Sequence, residues 1–167
     1  MAVATITASA SGQYEATFTA TDIYNRTASV RVPVRVLEPL ILSLSASTGW
    51  ITEQGNTSIT LSTQNAEGAV TFTCTENGTT TTITGNTAVI TAQTPGTYTI
   101  TFIATDSYRR TAEKSFTLTV LETLRITAAP SSVWFDKGGS TSLTLTATGG
   151  TGVTFSSSGT GLSINIT

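Results

Sequence analysis

Apolar and polar residues alternate strictly over many short stretches of this chain. In Thr97–Asp106, Tyr98, Ile100, Phe102 and Ala104 fall on one parity, with Thr99, Thr101 and Ile103 on the other. A period of two is what a half-buried strand requires. Val30, Val32, Val34 and Val36 alternate in the same way with Arg31, Pro33 and Arg35. The valines are expected to point inward, and Pro33 implies an edge strand or a position that needs no donor. No stretch repeats apolar residues at helical spacing, and the abundant Thr and Val suit pleated surfaces better than helices. The pattern predicts an all-β protein.

The strands recur as a unit. Gly12–Glu38, "GQYEATFTATDIYNRTASVRVPVRVLE", matches Gly96–Glu122, "GTYTITFIATDSYRRTAEKSFTLTVLE", at a constant offset of 84 residues. Tyr14/Tyr98, Phe18/Phe102, Asp22/Asp106, Tyr24/Tyr108, Arg26/Arg110 and Leu37/Leu121 coincide. Beyond them Trp50 falls on Trp134, Gly55 on Gly139 and Leu61 on Leu145, and Phe72 meets Phe155 after a one-residue gap. A repeat of this length, built of several short strands, predicts tandem small sandwiches rather than a solenoid. "TDIYNR" and "TDSYRR" read as hairpin loops between paired strands. Asp22 and Asp106 are expected to form those turns, paired with Arg26 and Arg110. Tyr98, two residues after Gly96, takes the place of a tyrosine corner.

The segment Gly96–Glu122 resembles the last hairpin of bacterial immunoglobulin-like (Ig-like) and PKD-like repeats: G-x-Y, an alternating strand, T-D, a turn, T-A, and a second strand. It is also similar to Ig-like repeats in tail proteins of phages that infect Gram-positive bacteria. Asp106, Ser107, Arg110 and Thr111 match their turn, and Val120 and Leu121 match their strand end. Arg109 departs from the usual glycine, and "ETLRI" replaces the usual aromatic and proline. The resemblance covers about 27 residues in each copy and implies tandem Ig-like β-sandwich domains with an 84-residue repeat.

On that pattern, residues 39–122 form one whole domain, 1–38 the C-terminal half of another, and 123–167 the N-terminal half of a third. The chain's last fourteen residues joined to its first eighteen match residues 71–102 without a gap. Three arrangements follow: halves that complete one another between chains, halves that meet within one chain, and two whole repeats in another phase, 1–84 and 85–167. The nearly linker-free joints "VLEPLIL" and "VLETLRI" disfavour closure within a chain.

Composition narrows the function. The net charge is −2, the pI is near 5.0 and the eight Lys and Arg are scattered, so no nucleic-acid partner is expected. No apolar run is long enough for membrane insertion by a helix. The opening residues lack the form of a secretory signal, which tilts the expected location toward a virion, with an extracellular fibre or stalk beside it. With no histidine the commonest general base and metal ligand is missing, so no enzymatic activity, cofactor or metal is expected. The dispersed acidic residues offer no calcium cage. Cys74, on the parity of Val70 and Phe72, reads as a structural thiol. Lys114 stands where the first copy has Val30, and is expected to reach solvent from a strand end.

The repeating tryptophans, Trp50 and Trp134, are expected to pack into cores or between domains. Tyr24, Tyr108, Arg26 and Arg110, at the loop tips, are the candidate contacts for a ligand. The reading that results is a non-enzymatic structural module of an extracellular fibre, stalk or phage appendage, self-associating with identical chains or neighbouring repeats. Its alternatives are a repeat of a bacterial surface adhesin and a carbohydrate-binding sandwich, with a cell-surface glycan or protein as partner.

Overall fold

The computed structural model describes residues 2–167, in which twelve strands and no helix occur. They are β1 (Gly12–Thr21), β2 (Thr27–Val36), β3 (Ile41–Leu44), β4 (Thr48–Thr52), β5 (Asn56–Gln64) and β6 (Thr71–Thr75). After them come β7 (Thr80–Thr84), β8 (Thr87–Thr91), β9 (Gly96–Thr105), β10 (Thr111–Leu121), β11 (Arg125–Ala129) and β12 (Thr144–Thr148). The chain is all-β.

Strands β3 to β10 build two four-stranded sheets, β3-β5-β8-β7 and β4-β10-β9-β6. The first has the order A, B, E, D of a constant-type immunoglobulin domain. In the second, β6, β9 and β10 are its C, F and G, and β4 runs parallel beside β10. The alternation explains the sandwich. Ile100, Phe102 and Ala104 of β9 and Phe116, Leu118 and Val120 of β10 are buried against Ile59, Leu61, Ala88 and Ile90 of the facing sheet. The Tyr98 hydroxyl donates to the Thr94 carbonyl at 2.8 Å, forming the tyrosine corner at the start of strand F. Lys114 shares the parity of Phe116 but sits toward the open end of β10, where its side chain is exposed.

Neither tryptophan packs into a core. Trp50 and Trp134 are 67% and 88% exposed. The cause at Trp50 is parity: in β4 the inward positions are Gly49 and Ile51, so Trp50 faces outward. Gly49 is itself constrained, since a Cβ there would lie 2.8 Å from Cζ of Phe116.

Outside the sandwich, β1 pairs only with β2 and β11 only with β12. The registers repeat those of the sandwich. Gly12↔Val36 corresponds to Gly96↔Val120, and Arg125↔Thr148 corresponds to Ile41↔Gln64. The inward parity of the first hairpin is nonetheless open. Val30 is 58% and Val32 38% exposed, because among the described residues no second sheet faces them.

Candidate functional site

The two Asp–Arg turns share one internal geometry. In the second, Asp106 Oδ1 accepts from the amides of Tyr108 (2.9 Å) and Arg110 (3.1 Å), while Oδ2 accepts from Arg110 Nε (2.9 Å) and Nη2 (2.6 Å). In the first, Asp22 Oδ1 accepts from Tyr24 N (2.8 Å) and Arg26 N (2.9 Å), and Oδ2 from Arg26 Nε (2.6 Å). A left-handed residue closes each turn, Asn25 at φ 62° and Arg109 at φ 60°. Asp thus caps the backbone of its own turn, as its short acceptor side chain allows.

The second turn does more. Arg110 Nη1 donates to the Glu38 carbonyl and Nη2 to the Asn65 carbonyl, both at 2.6 Å. The Glu67 amide reaches Asp106 Oδ2 at 3.2 Å, and Asn65 Nδ2 donates to the Pro39 carbonyl at 3.0 Å. Asp106 and Arg110 therefore fasten the link between the first hairpin and the sandwich. Arg35 of β2 adds an ion pair to Glu67 at 2.7 Å. Burial alone would raise the Asp106 carboxyl, but the Arg110 side chain and the amides of Glu67, Arg110 and Tyr108 outweigh it and hold it below the usual carboxylate range. In the first turn, Arg26 has a side-chain exposure of 79% and lies over the Tyr24 ring at 5.9 Å. Among the described residues, no other segment's carbonyl accepts from it.

The opposite pole has its own link. Glu53 N donates to the Leu121 carbonyl at 3.0 Å, and the Glu53 carboxylate accepts from Thr123 N (3.2 Å) and Oγ1 (3.1 Å). Sequence reasoning missed Glu38, Glu53 and Glu67. The repeated "VLE" at Glu38 and Glu122 was the available signal for the first.

Of the candidate contacts, Tyr24 and Tyr108 are 75% and 60% exposed. The structure joins each arginine to the aspartate of its own turn, with Arg110 half-buried in the joint and Arg26 open to solvent. Cys74 is half-buried on β6, and burial, with the Glu76 charge second, raises its thiol. Among the described residues no group of three or more acidic or thiol side chains could hold a metal.

The terminal segments show a rule of their own. A strand forms in them only where its sandwich counterpart's partner lies in the same segment. β1 and β2 are the counterparts of β9 and β10, and β11 and β12 are those of β3 and the second half of β5. The counterparts of β8 (residues 3–7), β4 (132–136), β6 (154–158) and β7 (163–167) pair across the two segments in the template, and here they are unpaired. Backbone ladders need both partners. The turns are nevertheless set: Gly149 (φ 79°) and Gly152 (φ 64°) repeat Asn65 (59°) and Gly68 (72°). The Tyr14 hydroxyl donates to the Ala10 carbonyl at 3.0 Å as a second tyrosine corner.

No protein-family model matches the chain, and no curated protein matches it in sequence. Among solved structures it is similar to the fibronectin(III)-like modules of Clostridium thermocellum CbhA. The identity is 19% and the TM-score 0.40, over 70% of this chain and 66% of that one. The chain thus spans just under two thirds of its length. The Ig-like assignment rests on strand order and the tyrosine corners.

Proposed function

We propose that the chain is a non-enzymatic structural module of an extracellular fibre, stalk or phage appendage, in which copies join head to tail through their terminal segments. One observation supports this above the others. The two segments hold, between them, a counterpart of each of the eight sandwich strands, and the hairpins already formed keep the template's register. Their apolar faces are open, with Phe18, Val30 and Val32 on one side and Val133, Phe135 and Leu143 on the other. Faces of this kind mark an interaction surface. Added strands would supply the hydrogen bonds, and a heterologous contact propagates into a filament or a ring. Light scattering behind a sizing column, with electron micrographs of the same fractions, tests this. Large species that grow with concentration are expected, and a compact monomer at all concentrations would overturn the reading.

A second reading is favoured by the exposed Trp50, Trp134 and Tyr108. Aromatic faces open to solvent suit sugar stacking in a carbohydrate-binding sandwich. A glycan array with Trp50→Ala as control decides it, and a blank array ends it.

A further inference from the structure

In the sandwich, the β4 edge meets β10 with Gly49 against Phe116: the Phe116 ring occupies the space that a side chain at position 49 would need. The counterpart of Gly49 in the C-terminal segment is Val133, and that of Phe116 in the first hairpin is Val32. A larger residue on one segment is met by a smaller one on the other. Close-packed interiors tolerate changes that conserve volume and resist those that do not.

The chemistry of the joint changes as well. Within the chain, the Glu53 carboxylate accepts from the amide and hydroxyl of Thr123. The counterpart of Thr123 is Pro39, which has neither donor, and that of Glu53 is Lys137. The residue before Pro39 is Glu38, an exposed carboxylate already turned toward Ser11 at that end of the hairpin. An ammonium, which only donates, replaces a carboxylate where Pro39 has lost both donors of Thr123 and the Glu38 carboxylate stands beside it.

Resting on the head-to-tail reading above, we infer that the partner of the C-terminal segment is the first hairpin of a second copy, held in the repeat register. The joint is matched by Val133 against Val32 and by Lys137 against Glu38. In the same register Arg26 of the second copy reaches the Glu122 and Gly149 carbonyls of the first, the counterparts of Glu38 and Asn65. The occupant is a second copy because both halves of the matched joint lie on this chain, while the two segments are tethered at opposite ends of the eleven-residue β10.

The test is a pair of swap experiments on the full chain, read by sedimentation velocity over a concentration series. Val32→Phe sets a ring against Val133 and is expected to weaken association about tenfold or more, as overpacking does. Adding Val133→Gly recreates the Gly49–Phe116 pair and restores association. Lys137→Glu places like charges together and is expected to weaken association about tenfold at low salt, with Glu38→Lys in the same chain restoring it. None of the four residues belongs to the core of the sandwich, so its thermal melt reports folding independently. Association that ignores both single changes overturns the matched joint and leaves the head-to-tail reading standing. A wild-type chain that stays monomeric overturns both.

Discussion

At the residue scale, the Asp–Arg turn is one device in two settings. Asp22 is held low chiefly by the Arg26 amide, and Asp106 by Arg110 and three amides against the opposing effect of burial. A carboxylate depressed by folding contributes stability that is fully present above its unfolded value, about 3.9. That stability is lost as pH falls through the lower folded value. Acid unfolding of the sandwich is therefore expected below about pH 4, and Asp106→Asn should flatten that limb while lowering stability at neutral pH. Urea melts at several pH values measure both effects, and an unchanged acid limb would count against the assignment. Arg26 keeps the bonds of Arg110 to its own aspartate and lacks a second segment to grip. Arg26→Ala is thus expected to leave the melt of the sandwich unchanged and to weaken self-association severalfold. Arg110→Ala should lower the melt itself, because the Glu38 and Asn65 carbonyls lose their donor.

At the element scale, equivalent strands of related sequence meet different fates. Phe102 is fully buried and Phe18, its repeat counterpart, is 36% exposed. Phe102→Ala is expected to cost about 3–5 kcal/mol of stability. Phe18→Ala should leave the melt nearly unchanged and reduce association instead, and equal losses of stability in the two variants would contradict this account. The contrast also shows how far the sequence could be read. Alternation alone places Ile100, Phe102 and Ala104 on one face, and the turn grammar of Asp106 and Arg110 is visible as a motif. What alternation cannot supply is the partner. Val30 and Val32 have the parity of a core face, but burial is a property of what stands opposite. The expectation for Trp50 failed for a related reason. Large aromatic side chains dominate cores on average, yet the pleat of a five-residue edge strand assigned the inward places to Gly49 and Ile51. The long-range bonds from Arg110 to Glu38 and Asn65 were not legible because they join residues 72 and 45 positions apart.

At the scale of the whole molecule, the two joints lie at opposite ends of β10. Its eleven residues run from the Asp106 turn, beside Pro39, to Leu121, beside Glu53. At about 3.3 Å per residue the ends are roughly 33 Å apart, and neither joint has slack. The first hairpin and the C-terminal segment therefore leave the sandwich from opposite poles, which favours contact between chains over closure within one. That geometry yields a prediction that needs no filament. A chain of residues 1–122 carries only the first hairpin, and one of residues 39–167 only the C-terminal segment, each with the intact core of Leu42 to Val120. Neither has both faces, so neither should extend beyond what loose apolar contact allows. Mixed, they are expected to form a one-to-one dimer and stop there, because each joint consumes one of each face. The dimer should also gain a second cooperative melt from the newly closed sandwich. Sedimentation equilibrium of the mixture against each component is the measurement. Two non-interacting species would show that the open faces serve something other than a copy of this chain.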